Sequence, residues 1–183
     1  STAAEVARRL AAYLRDVGAD GGETVATELA FELELGRARM RGQIDRIERY
    51  EDGSVLVVDL KTGREAGYGT PASVVDHPQL AAYQLAVAEH GVAGRGAEGH
   101  GMPVRGASLV VLGRGGTGRS GREYVEATQA PYDEEGVEAF RRRVGAVAEG
   151  MAGAVFEASV GSHCLDQYRH GVCRVHVVRA VTS

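Results

Sequence analysis

Cysteine occurs only twice in the 183 residues, and tryptophan not at all. Two thiols cannot build a disulfide framework, so a reducing compartment is the default expectation. No apolar run is long enough to span a bilayer and no secretory signal pattern is present, so no membrane partner is expected and the cytoplasm is the expected location. Basic charge is not in excess: 21 Lys and Arg stand against 25 Asp and Glu, a formal net charge of -4. That balance argues against a surface coated in positive charge for indiscriminate polyanion binding. It leaves open a site where a bound cation supplies the local positive field. The 26 glycines gather mainly in two loops rather than in low-complexity tracts. They match neither a P-loop nor a dinucleotide fingerprint, which excludes a nucleotide site of those kinds and a nucleotide-driven motor. There is no internal repeat. The first residue is Ser rather than Met, the start expected of a processed chain or an excised domain.

What is present is ordinary globular composition, 44 % hydrophobic and 25 % charged, enough for one domain over residues 1–183 with a sizeable core. Residues 2–16 read as a packing helix, with Val6, Leu10 and Leu14 at helical spacing and Arg8, Arg9 and Arg15 on the other side. Residues 24–35 read as a strand, in which Val25, Thr27, Leu29, Phe31, Leu33 and Leu35 alternate with polar or small neighbours. Glu28, Glu32 and Glu34 then face the other way, as a solvated face does. Residues 91–106 and 113–121 read as Gly-rich loops, the second either a plain hairpin loop or a basic loop beside nucleic acid. Residues 107–112 are a buried strand suited to parallel pairing, and 123–128 another strand. Residues 133–151 form a long helix with Asp133 as N-cap, Glu134 and Glu135 in the first turn, and an apolar stripe from Val137 to Met151. Arg141, Arg142 and Arg143 read as its solvated side.

The rest of the chain is organised around residues 42–61. Gly42-Gln43-Ile44-Asp45-Arg46 ends an alternating run, Glu51-Asp52-Gly53 is a hairpin turn signal, and Val55 to Asp59 is a Val-rich strand. Antiparallel pairing brings Asp45 and Asp59 to the same end of the ladder. Two carboxylates and a main-chain carbonyl on one rim suit a hard divalent cation such as Mg²⁺. Lys61 beside them can hold an attacking water or stabilise charge growing on a phosphate. Read singly, the same residues fit plainer roles: Asp45 and Lys61 as a surface ion pair, Asp59 as a turn cap. Beyond a loop over residues 62–76, a helix runs from about residue 78 to 90, opened by Pro78. It sets Gln79 and Tyr83 on one face and Leu80, Gln84 and Val87 on another. His77 precedes it as a cap or a solvated side chain, or as a phosphate contact.

Gly42-x-x-Asp45-Arg46, Asp59-Leu60-Lys61-Thr62-Gly63 and Gln79-Leu80-x-x-Tyr83, in that order, resemble the three motifs of the PD-(D/E)XK nuclease superfamily in its RecB-type branch. The likeness spans about residues 24–173 and is nearest to the C-terminal nuclease domain of AdnB-like helicase–nucleases. It implies an α/β fold with a restriction-endonuclease-like core, a mixed central β-sheet flanked by helices. It also implies metal-dependent DNA hydrolysis with Mg²⁺ or Mn²⁺. Asp45, Asp59 and the Leu60 main-chain carbonyl become metal ligands, with Glu28 as a further acidic candidate on the first strand. Lys61 becomes catalytic, and Gln79 and Tyr83 line the active site beside DNA.

The resemblance further implies an exonuclease module that works with a helicase domain or subunit in double-strand-break end processing, near the nucleoid. Two departures qualify it. The family's first helix bears a metal-site His; no His precedes His77 here, and the chain is expected to lack that helix. The tail at 160–183 keeps only Cys164 and Cys173 of an iron–sulfur pattern, with Gln167 in the middle place, so no iron–sulfur cluster is expected. Zinc ligation by these Cys and the nearby His163, His170 and His176 lacks a standard spacing. The alternative of another class is a catalytically silent DNA-binding or scaffold module on the same fold.

Overall fold

Val55 to Val58 are each buried, the near-continuous apolar run of a strand covered on both faces. That strand is the centre of the computed structural model, which describes residues 2–63, 70–92, 101–116 and 121–154. The elements in chain order are α1 (Ala3–Ala19), β1 (Glu23–Leu35), β2 (Ala38–Arg49), β3 (Val55–Lys61), α2 (Pro71–Val74), α3 (Pro78–His90), β4 (Val104–Val111), β5 (Val125–Gln129) and α4 (Glu134–Ala152). The five strands form one sheet in the order β1-β2-β3-β4-β5. Three neighbouring pairs are antiparallel, and β3 pairs parallel to β4. This is a mixed sheet with helices on both faces, the expected α/β architecture of a restriction-endonuclease-like core.

Alternation along β3 sorts the two faces. Val55 and Val57 pack with Leu80, Tyr83 and Val87 of α3. Leu56 and Val58 pack with Ala12, Tyr13 and Val17 of α1. The far end of the β1–β2 hairpin rests Leu33 and Leu35 on Ala81, Ala82, Leu85 and Ala86, with Phe140 of α4 closing that cluster. The chain divides into two compact units, Ser1–Gly145 and Ala146–Ser183. Every candidate site residue lies in the first. The tail with Cys164, Gln167 and Cys173 lies outside the described residues.

Several elements depart from the sequence expectation for local reasons. Helix α1 is capped by Thr2, which with Glu5 forms a reciprocal capping box. Thr70 and Ser73 make a second box, so a short helix, α2, stands in what reads as loop. Strand β4 begins at Val104, inside the expected loop over 91–106, because its parallel partner β3 supplies the pairing. β1 alternates cleanly only from Leu29 onward. Val25 is an extra residue between the Thr24 and Ala26 pairings, and Glu28 has φ 51, so the strand twists there. Helix α3 is buried from Leu80 to Val87. It is a central helix rather than a two-faced surface one, which its Ala-rich, nearly uncharged sequence permits.

Candidate active site

The backbone ladder between β2 and β3 runs from Arg49↔Val55 to Arg46↔Val58 and ends there. Asp45 takes over where it stops: its Oδ2 accepts the Leu60 N–H at 2.7 Å. The side chain thus satisfies a main-chain donor that the diverging strands would otherwise leave free. Asp59 and Lys61 continue the face of β3 that carries Val55 and Val57, so they point toward α3. The Asp59 side chain is only 2 % exposed, and Lys61 Nζ lies 2.8 Å from its Oδ2. Hydrogen-bond geometry favours Oδ1, at 3.2 Å. Asp59 Oδ2 is therefore buried with no well-directed donor among the described residues.

From the α3 side, Gln79 Oε1 stands 3.4 Å from Lys61 Nζ, and Gln79 Nε2 donates to the Tyr83 hydroxyl at 2.7 Å. A continuous chain Asp59–Lys61–Gln79–Tyr83 results. The three motifs, far apart in sequence, meet at the C-terminal ends of the parallel pair β3 and β4.

The electrostatics follow from burial and from two carboxylates sharing one ammonium. Burial raises the Asp59 carboxyl above the usual carboxylate range; Lys61 opposes the shift and the Asp45 charge adds to it. Burial pulls the Lys61 ammonium down, but its hydrogen bond to Asp59 and the charges of Asp59 and Asp45 outweigh it and hold the group above its ordinary value. Lys61 beside these carboxylates is therefore protonated at neutral pH. Burial also raises the Tyr83 phenol, so it stays neutral.

His77 is the N-cap residue of α3 but makes no side-chain cap bond. Its Nδ1 is buried without a partner among the described residues. Burial lowers its pKa against the pull of Asp59, so the ring is neutral at ordinary pH.

Glu28 is exposed on β1. It lies across the ladder from Asp45, between the pairs Thr27↔Arg46 and Leu29↔Ile44. Among the described residues no group of three or more His, Cys, Asp and Glu is placed to hold a metal ion. The candidate donors are hard oxygens: the Asp59 carboxylate, the Asp45 carboxylate that holds the Leu60 N–H and lies within the electrostatic reach of Asp59, and the Leu60 carbonyl of the same segment. Mg²⁺ takes one or two carboxylates and completes its shell with waters and substrate oxygens. The buried Oδ2 of Asp59 lies against the Lys61 ammonium without a directed hydrogen bond, so it keeps lone pairs that such an ion would use, and the donor set fits the group.

Two glycines near the motifs, Gly42 and Gly113, have steric reasons that spacing alone does not show. Gly42 lies opposite Phe31 in the ladder, and a Cβ there would stand 2.7 Å from Phe31 Cε1. The Phe31 ring covers Gly42 and meets Tyr83 edge-on, centroids 5.5 Å apart. Gly42 is thus the space that lets Phe31 brace Tyr83. A Cβ on Gly113 would stand 2.0 Å from the Gly63 carbonyl oxygen, so the chain leaving β4 presses against the chain leaving Lys61. The hairpin register offered a signal for the Phe31–Gly42 pairing, since the Gly36-Arg37 turn sets which residues face each other. Nothing in the sequence signals that Gln129 reaches the turn before α3.

A family model described as the PD-(D/E)XK nuclease superfamily matches residues 1–178. No curated protein matches the chain at a significant level. Thirteen chains of solved structures do. One is the crystal structure of SSO0001, 19 % identical, with TM-score 0.42, covering 82 % of this chain and 61 % of that one. The chain thus spans less than two thirds of that solved relative's length.

Proposed function

The chain belongs to the PD-(D/E)XK nuclease superfamily, and from that membership we propose that it hydrolyses DNA phosphodiester bonds with Mg²⁺ or Mn²⁺ at the Asp45, Asp59 and Lys61 rim. One observation carries the reading: a carboxylate only 2 % exposed sits beside a second carboxylate and a Lys that keeps its proton, with one oxygen left without a directed donor. A merely structural ion pair gains nothing from a buried, half-satisfied carboxylate.

Asp45, Asp59 and the Leu60 carbonyl would hold the cation, with Glu28 as a further acidic candidate across the ladder. When bound, the ion lowers the pKa of a water and offsets negative charge on the scissile phosphate. The chain's own residues do the rest. Lys61, kept protonated by Asp59, orients the attacking water and stabilises charge growing on the phosphate oxygens. Gln79 fixes the Lys61 ammonium from the α3 side. Tyr83, neutral, buried and braced by Phe31, holds Gln79 from within the core instead of touching the strand. The apolar α3 behind them keeps bulk water from the back of the site.

We place the chain in the RecB-type branch, nearest the AdnB-like nuclease domains, as an exonuclease module that works beside a helicase on DNA ends in repair. The order and spacing of its three motifs support this. A second reading, a silent DNA-binding module, is favoured by one observation: one oxygen of Asp45 is engaged by the Leu60 N–H, a structural role for that carboxylate.

The test is degradation of labelled single- and double-stranded DNA with Mg²⁺, Mn²⁺ or EDTA, beside Lys61→Ala and Asp59→Asn. Metal-dependent cleavage lost in both variants is expected. Robust cleavage by both sinks the site assignment, and a folded wild type that binds DNA without cutting it favours the silent module.

A further inference from the structure

We propose that Gln129 is a positioning residue for this site: its side-chain amide holds the turn ahead of α3, so that Gln79 meets Lys61. Gln129 ends β5 and is 3 % exposed. Its Nε2 lies 2.6 Å from the Val74 carbonyl oxygen, 3.2 Å from that of Val75 and 3.4 Å from that of His77. Three carbonyls around one nitrogen admit only the NH₂ end of the amide, so its orientation is set by the surroundings. Val74 closes α2 and His77 precedes α3, so these are carbonyls of a tight connection between two helices. The Val74 carbonyl also accepts the His77 N–H at 3.2 Å and the His77 carbonyl accepts the Ala81 N–H at 3.1 Å, so the Gln129 amide adds a side-chain tie to a connection that main-chain bonds also close.

The clamp is itself held. Gln129 Oε1 accepts from Gln84 Nε2 at 2.9 Å, and Gln84 is also 3 % exposed. The Gln84 Nε2 group also donates to the Ala130 carbonyl at 3.2 Å, and its Oε1 accepts the Tyr132 N–H at 3.3 Å. Both ends of each buried amide are thereby engaged, one from the middle of α3 and one from the end of β5. A fully satisfied buried polar pair specifies one arrangement of its neighbours more than it adds stability, because an apolar pair of equal volume packs about as well. What this pair specifies is the start of α3. Gln79 is the second residue of that helix, and its contact with Lys61 Nζ, at 3.4 Å, has little slack. A shift of the turn by a few tenths of an ångström removes it, and misplacement on the ångström scale costs catalysis about 100-fold.

The proposal rests on the nuclease reading above, so the experiment has one arm that needs no activity. Gln129→Met keeps the volume and removes the donor; Gln129→Glu keeps the shape and places an acceptor against three carbonyls. In hydrogen–deuterium exchange both should speed exchange over residues 74–83 while residues 55–61 stay protected as in wild type. In single-turnover DNA cleavage each should lower the chemical rate about 10- to 100-fold with DNA affinity changed less than about 2-fold. The loss should shrink to less than about 3-fold when Gln79 is already Ala, because Gln129 then has nothing left to position.

Unchanged exchange over 74–83, or losses that multiply in the double variant, overturn the proposal. If Gln129→Met does not fold, Gln84→Met, which removes only the supporting amide, is measured in the same two ways and decides it. A wild-type chain that never cleaves DNA removes the nuclease reading, and with it the positioning role, while the exchange arm still decides whether Gln129 holds the turn.

Discussion

Asp59→Asn separates a metal ligand from a structural carboxylate, and the outcome can be sized in advance. Without metal, wild type carries a charge on a side chain that is 2 % exposed, offset by Lys61, which is 30 % exposed and partly screened. The amide keeps the shape, removes the buried charge and weakens the contact with Lys61. These effects oppose, so the variant should lie within about 1 kcal/mol of wild type. With metal at about 100 times its dissociation constant, wild type gains roughly 2.7 kcal/mol from binding. For a chain of this size that raises the melting temperature by about 5–11 °C. Loss of a charged ligand should weaken binding about 100-fold or more, a conservative figure for one ion contact in a partly buried site. At the same metal concentration the gain falls to about 0.4 kcal/mol, near 1 °C. Thermal unfolding with Mg²⁺, Mn²⁺ or EDTA measures both numbers. An Asp59→Asn chain that keeps the full metal-dependent rise refutes Asp59 as a ligand, and a wild type with no rise in either metal refutes the site.

Gly42→Ala should drive the Phe31 ring off its seat and unsettle Tyr83, costing about 1–3 kcal/mol by overpacking. Adding Phe31→Leu should recover most of the thermal stability, and failure of that rescue would disprove the steric account. Glu48, 0 % exposed, accepts from Tyr13 at 2.9 Å and from Arg46 at 2.6 Å. Glu48→Ala should cost about 3–5 kcal/mol in urea unfolding, since it strands a nearly buried Arg46, and a loss below about 1 kcal/mol would contradict that network. Alkaline pH should also unfold the chain. Burial, with Glu48 nearby, pushes Tyr50 up to about 12 and raises Tyr13 further, while burial and Asp16 raise Tyr124. The fold keeps these phenols neutral while the unfolded chain ionises them near pH 10. Stability is therefore full below about pH 10 and falls above it by roughly 1.4 kcal/mol per pH unit for each such tyrosine. Urea titrations at stepped pH should show this slope, reduced in Tyr13→Phe.

The sheet was legible because its signals are local. Residues 51–53 announce the hairpin, Val55 to Val58 announce a strand covered on both faces, and Asp133 announces the cap of α4, where its Oδ1 accepts the Gly136 N–H at 2.8 Å. What was not legible depends on partners distant in sequence. β4 extends back to Val104 only because β3 lies beside it. α3 lies within the core because the sheet, the β1–β2 hairpin and Phe140 of α4 close around it. The β1 alternation fails at Val25 and Glu28, where a bulge and a left-handed residue face the part of β2 that carries Asp45.

The candidate site stood out in the sequence for a different reason: it breaks the pattern of its own surroundings. In Val55-Leu56-Val57-Val58-Asp59-Leu60-Lys61 the apolar run is interrupted at the two positions that face α3. A sequence under selection for stability alone would continue the apolar pattern there, because burying a carboxylate costs free energy that a Val would gain. Local rules fail where a charge is kept in spite of its cost, and at Asp59 that charge is offset by Lys61 while Oδ2 has no directed hydrogen bond. His77 fits the same logic less visibly. Its Nδ1, without a partner among the described residues, sits in a helix-cap position where Ser or Asp would cap better, so a residue ill-suited to its local role stands within the field of Asp59 and Lys61.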